Sequence, residues 1–226
     1  MCIRDSLYTL AFSSLGIYGI LFAGWSANSK YAFLGSLRST AAMISYELIL
    51  SSAVLIIILL TGSFNFTTII ESQQAVWFIV PLLPVFIFYF ISILAETSRT
   101  PFDLQEAESE LVAGFFTEHS SIIFVFFFLA EYSSIVLFSC LTAILFFGGY
   151  SMPEIFVNES IISIESIILG LKTCLFAFMF VWFRATLPRL RYDQLISLCW
   201  LNLLPICVAF IILVPCILVA FDIAPY

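Results

Sequence analysis

The sequence predicts an all-α fold, a polytopic transmembrane helix bundle with about six spans forming a single membrane domain over residues 1–226. Three observations carry that expectation. The chain is 62% hydrophobic and only 10% charged, with a mean hydropathy of +1.14, which leaves too few charges to hydrate a soluble surface. It contains six apolar runs of roughly 20 residues or more, the length needed to cross about 30 Å of hydrocarbon. Its basic residues fall on alternate connections between those runs. Backbone polar groups in lipid must be satisfied within each segment, and the runs far exceed the ~10-residue strands of a membrane barrel, so they are read as helices.

The first span is 7–24. The preceding "MCIRDS" has one Arg beside an Asp and leads into the apolar run without a small-residue cleavage pattern, so it is not read as a signal peptide. Those six residues differ in character from the apolar run after them and are expected to be a non-native start. The second span is 41–60, after a connection carrying Lys30 and Arg38. The third is 76–95, with Pro81 and Pro84 expected to kink it. The fourth, 120–147, is the longest, and is expected to tilt or to rise above the membrane. The fifth is 161–183. The sixth is 195–220, with kinks expected at Pro205 and Pro215.

Six spans place Lys30 and Arg38, Arg99, and Arg184, Arg189 and Arg191 on one side of the membrane. The second and fourth connections and the C-terminal segment offer Glu71, Glu154, Glu159 and Asp222 but no Lys or Arg. This is the positive-inside pattern, and it puts the basic connections on the cytoplasmic or matrix side.

Composition also excludes classes of function. Eight Lys and Arg against fifteen Asp and Glu, a net charge of −7, argue against binding nucleic acid. The cysteines, Cys2, Cys140, Cys174, Cys199, Cys207 and Cys216, are scattered singly and read as small apolar fillers, and His119 is the sole histidine. Neither a metal site nor an iron–sulfur set is expected, and no catalytic redox centre is expected in this chain. No internal repeat is visible, which argues against an inverted-repeat transporter.

The stretch "ETSRTPFDLQEAESELVAGFFTEH" holds six of the fifteen acidic residues, Glu96, Asp103, Glu106, Glu108, Glu110 and Glu118, and one of the eight basic ones, Arg99. Thr100, Pro101 and Asp103 read as an N-cap, first helical position and capping box. On that helix Asp103, Glu106 and Glu110 share a face and Glu108 points away. The face is either solvated or a proton-handling or partner-binding surface, bracketed at the membrane surface by Glu96, Arg99 and Glu118. Within the spans lie Glu47, Glu131, Glu165 and Lys172, at a cost of roughly 2.5–3.5 kcal/mol for a charged group at the centre of a helix. Counting along the spans puts Glu47 shallow on the basic side, Glu131 and Lys172 at matched mid-depth, and Glu165 shallow on the far side. They form either a structural ion pair with two snorkelling carboxylates, or a chain of protonatable groups leading inward from the acidic loop, with Tyr46 and Tyr132 as hydrogen-bond relays.

Five ordered motifs carry a specific likeness: "GWSANSKYAFLGSLR", "ISYE", "AETSRTPFDLQEAESELVAG", "AEY" and "LPRLRYDQL". Together they resemble subunit 1 of respiratory complex I, the NADH:quinone oxidoreductase, from residue 7 to the C-terminus. The resemblance implies an eight-helix membrane subunit beside the hydrophilic arm. It implies quinone-chamber positions at Arg38, Arg99, Asp103 and Arg191, and a proton-coupling set of Glu47, Glu96, Glu106, Glu108, Glu110, Glu118, Glu131, Glu165 and Lys172. Arg99 and Arg191 are candidates either to stabilise a negative intermediate or to fix a carboxylate. The resemblance further implies quinone as the substrate of the complex, with flavin and iron–sulfur clusters on partner subunits and none bound by this chain alone. Partners would be the other membrane and soluble-arm subunits, ubiquinone and lipid.

The sequence departs from the family at several points. The family's first helices are not in it, so it reads as a fragment, a product of a split gene whose other part is a separate chain, or an incomplete translation. His119, Ala42 and Leu201 stand where many relatives have Tyr, Gln and Lys. The same fold with a different partner would make this the membrane subunit of an energy-converting hydrogenase, and a third class is an independent ion channel or transporter. Richness in Phe and Ile is the composition of an AT-biased organellar gene and favours the mitochondrial inner membrane over a bacterial plasma membrane. A subunit of this kind, not active alone, is expected to be unstable by itself in mild detergent. A monodisperse, long-lived solitary chain on size-exclusion chromatography would contradict an obligate-subunit role.

Overall fold

The computed structural model describes residues 4–102, 120–151 and 165–222. All the regular structure among them is helical. Helix α1 (Asp5–Ser26) and helix α2 (Lys30–Thr61) form a hairpin. Its turn is short: Asn28 adopts a left-handed backbone (φ 51°), and the Ser29 hydroxyl caps α2 by accepting from the Ala32 amide at 3.3 Å. The expected second span therefore begins too late. Lys30 and Arg38 lie on the first turns of α2, which at 32 residues is about 48 Å long and exceeds the hydrocarbon core. It ends at Gly62, whose left-handed conformation (φ 69°) lets its amide reach the Ile58 carbonyl at 2.8 Å.

A short helix α3 (Phe66–Glu71), capped by Asn65, follows. The expected third span is then corrected. Residues 74–82 are bends and turns, and helix α4 (Leu83–Glu96) is only 14 residues, about 21 Å, long. Pro81 and Pro84 do more than kink a helix. Pro84 sits in the first turn of α4, where its missing N–H is harmless, so the pair delays the start of the helix. The irregular backbone is stabilised by Gln73, which is fully buried. Its amide nitrogen donates to the carbonyls of Ile144 at 3.0 Å and Leu145 at 3.2 Å, and its carbonyl accepts from the Gly148 amide at 3.0 Å. The Ile79 amide also donates to the Phe146 carbonyl at 3.2 Å.

Helix α5 (Ser121–Phe146) runs antiparallel to α4 and matches the expected fourth span. Helix α6 (Glu165–Thr186) packs along it. Then come helix α7 (Tyr192–Ser197), one π turn (Leu198–Leu203), and helix α8 (Leu204–Ala220), continuous enough to count as one 29-residue crossing. The π turn lies where the ring of Pro205 would otherwise crowd the carbonyl four residues before it. Pro215 is accommodated inside α8. Among the described residues five helices are long and apolar enough to cross a membrane, with α4 as a shorter apolar helix.

The core is built around α2 and α4. Rings of α4 interlock with three neighbours: Phe86 and Tyr89 with Phe146 of α5, Phe90 with Phe180 and Phe183 of α6, and Phe88 with Phe210 of α8, at centroid separations of 5.0–6.3 Å. Where lipid is as apolar as leucine, such close packing replaces the hydrophobic effect as the source of association. At the α1–α2 crossing the close approach depends on Gly24, where an added Cβ would overlap the Ser36 side chain and meet the Ala32 carbonyl at 3.1 Å. Gly24→Ala is expected to destabilise the hairpin by about 1–3 kcal/mol. Lower abundance and a lower thermal midpoint in detergent would report that cost, with partial recovery by Ser36→Gly.

Candidate functional site

Four elements enclose a cavity of about 490 Å³. Small residues of α1 open it: Ser13, Gly16 and Gly19 face it, and nothing lies within 4 Å of where a Cβ would stand on either glycine. Met43 of α2 and Phe127, Leu137 and Phe138 of α5 supply apolar wall. The polar lining comes from Glu96, Thr97 and Ser98 at the end of α4, and from Glu131, Ser133 and Ser134 on α5.

Glu96 is the last residue of α4 and only 7% exposed. Its Oε2 is buried with no hydrogen-bond partner among the described residues. It also stands at the negative end of the helix dipole, so its charge is costly there. The chain then turns inward. Ser98 takes a left-handed backbone (φ 50°), and the amides of Thr97 and Arg99 bond back to the carbonyls of Ile93 at 2.9 Å and Leu94 at 3.4 Å.

This turn carries Arg99, 5% exposed, into the bundle, where Nη2 lies 3.1 Å from Glu131 Oε2. The contact is an ion pair outside the alignment of a hydrogen bond. Arg99 also stacks over the Tyr132 ring, with its Cζ 4.9 Å from the centroid. Glu96 and Arg99 are thus both buried in the bundle, and the partner of Arg99, Glu131, stands ten residues or about 15 Å along α5.

Further bonds lock the turn onto α6 and the segment before α7. Thr100 Oγ1 donates to the Arg184 carbonyl at 3.1 Å, and the Leu190 amide donates to the Pro101 carbonyl at 3.0 Å. The loop helix expected to be capped by this hydroxyl lies outside the described residues. Phe102 packs its ring at a tilt against Tyr46, with centroids 5.4 Å apart, and Tyr46 Oη donates to the Leu195 carbonyl at 3.2 Å. Beside it, Trp200 Nε1 of the π turn donates to Ser45 Oγ at 3.2 Å.

The other candidates separate into groups. Glu47 of α2 is half-buried and close enough to Glu96 for the two charges to interact. Arg38 stacks on Tyr192 at 5.9 Å, Arg191 is exposed, and neither lines the cavity. The expected match of Lys172 with Glu131 is corrected. Lys172 Nζ donates to the carbonyls of Phe147, Gly149 and Ser151 at 2.7, 2.8 and 2.9 Å and lies 5.0 Å from the Trp77 ring. It closes the far end of α5, where the orphan carbonyls of a helix terminus need donors, about 24 Å along the helix from Glu131. Asp103, Glu106, Glu108, Glu110, Glu118 and His119 lie outside the described residues, and so does the side chain of Glu165.

Sequence reasoning missed the α1 lining. Its signal was the spacing of Ser13, Gly16 and Gly19 along one helix face in an otherwise bulky run. It also missed Gln73, which no local motif singles out.

A family model described as NADH dehydrogenase matches residues 2–215. The chain is similar to NADH-ubiquinone oxidoreductase chain 1 of Mycosarcoma maydis, 69% identical over 222 residues that cover 97% of this chain and 67% of that protein. It is similar also to the chain 1 of Podospora anserina, 55% identical over 252 residues covering 96% and 69%. An NADH-quinone oxidoreductase subunit of Rhodospirillum centenum is 50% identical over 219 residues, covering 97% and 65%. The chain spans about two thirds of the length of these relatives.

Removing one member of the buried pair strands the other. Arg99→Met is expected to cost about 3–5 kcal/mol, and Arg99→Met with Glu131→Gln less than Arg99→Met alone. Thermal unfolding of the purified protein in its complex, followed for wild type, both single variants and the double variant, measures this. Simple addition of the two single costs would contradict the pairing.

Proposed function

The chain belongs to the NADH dehydrogenase family, and from that membership we propose that it is a membrane subunit of an NADH:quinone oxidoreductase, helping to wall the quinone chamber and coupling quinone reduction to proton translocation. The observation that carries this reading is the cavity into which Glu96 and Glu131 both open, with Arg99 between α4 and α5. Apolar walls with a few convergent polar groups suit an apolar substrate bearing a polar head. A buried carboxylate short of donors, beside a second carboxylate held by an arginine, suits a proton that moves when a nearby charge changes.

In this reading the chain supplies shape and protonatable groups, while the electron carriers, flavin and iron–sulfur clusters, belong to partner subunits. Quinone is the substrate of the whole complex, and reduction near the basic side changes the field felt at Arg99, Glu96 and Glu131. Glu47, close to Glu96, extends the set along α2. The carboxylates of the acidic loop, Glu106, Glu108 and Glu110, with Glu118, are proposed as the approach to it, and Arg38 and Arg191 as charges on the side facing the soluble arm. Glu165 and Lys172 are assigned to the far side, where the bonding of Lys172 to three carbonyls favours a fixed structural charge. The names of the fungal relatives support placement in the mitochondrial inner membrane, with other subunits, ubiquinone and lipid as partners.

Replacing Glu131 by Gln keeps the shape and removes the charge. It is expected to leave the complex assembled while proton translocation per NADH oxidised falls severalfold, and Glu96→Gln is expected to act in the same direction. The measurement is proton uptake or membrane potential against NADH:quinone activity in sealed membranes. Full coupling in both variants would rule out the role given to these carboxylates.

A further inference from the structure

We infer that the ring of Tyr132 is a positioning group for the Arg99–Glu131 pair, holding the guanidinium beside the Glu131 carboxylate and covering its outer side; this rests on the coupling role proposed for Glu131. Arg99 hangs from a non-helical turn, so no helix axis fixes its direction, and a free arginine side chain has many rotamers. Two consecutive residues of α5 confine it. Glu131 and Tyr132 leave the helix about 100° apart, so the carboxylate and the ring approach the guanidinium from different sides.

The exposures differ in a telling way. Arg99 is 5% exposed, whereas Tyr132 is 53% exposed. The ring thus stands between a buried cation and the outer surface of the bundle, with its face 4.9 Å from Arg99 Cζ. The ion pair lacks the alignment of a hydrogen bond and gives little direction. A flat cation over a flat ring does give direction, and it strengthens where water is excluded. The feature required of Tyr132 is therefore its aromatic face. The hydroxyl, which a relay would need, forms no hydrogen bond among the described residues.

The test compares wild type, Tyr132→Phe, Tyr132→Leu, Tyr132→Met and Glu131→Gln in membranes carrying the assembled complex. Native-gel abundance, NADH:quinone activity and protons moved per NADH are measured for each. Phe keeps the face and is expected to match wild type. Leu and Met are expected to assemble normally and to lose about two- to fivefold in proton translocation, the factor by which an exposed-to-partly-buried cation–π contact biases a population. In an Arg99→Met background, Tyr132→Leu is expected to add no further loss, which a merely structural role for the ring would not produce.

Three results overturn the proposal: Leu and Met matching wild type, Phe falling as far as Leu, or Leu and Met failing to assemble. The Glu131→Gln arm separates the two layers. If it uncouples while Leu is normal, only the positioning role falls; if it stays coupled, the reading of Glu131 falls and the role of Tyr132 falls with it.

Discussion

A buried guanidinium must be neutralised where water cannot do it, and much of this bundle is arranged around that requirement. An unpaired charge at membrane depth is prohibitive. Arg99, once carried inside, therefore needs Glu131 at its own level on the facing helix. To bring it there α4 ends at Glu96 and the chain turns inward through a left-handed residue. The same turn is anchored to α6 and to the segment before α7 through Thr100 and Pro101, and to α2 through Phe102 and Tyr46. The ion pair and the turn that carries it thus tie the end of α4 to α2, α5, α6 and the segment before α7.

Polar groups inside the bundle fall into two kinds, and the difference bears on function. Lys172 has three carbonyls for its three N–H donors, and Gln73 uses both ends of its amide. These groups complete a broken backbone and leave little to be gained by change. Glu96 and Arg99, by contrast, each keep a buried polar atom without a hydrogen bond among the described residues, and Glu96 lines the cavity. In a low-dielectric interior incomplete satisfaction is expensive, so a network left that way responds to small changes in nearby charge. The first kind holds the fold, and the second has the properties a coupling site requires.

The shape of the cavity follows from packing as much as from charge. Glycines on α1 leave space that larger side chains would fill, whereas Gly24, two turns beyond, lets α1 close on α2. Residue size along one helix thus sets contact at one end and a chamber further along. The aromatic wedge of α4 fixes the opposite wall, since its rings interlock with α5, α6 and α8.

The amino-acid sequence alone determined the helical membrane class, because a long apolar run in lipid has no alternative to satisfying its own backbone. Its motifs were equally sufficient for the family. It also singled out Glu96, Arg99 and Glu131, since ionisable residues stand out in so apolar a chain. What only tertiary structure decided was how these groups pair and where helices begin. Lys172 and Glu131 matched in counted depth, yet one meets carbonyls and the other Arg99, because partners are chosen by contact between helices and by the direction of a non-helical turn. Pro81 and Pro84 warned of a break, but its extent depended on Gln73 finding acceptors some seventy residues away. Such long-range choices lie in no local pattern: they arise when every buried donor and acceptor must be satisfied together in three dimensions.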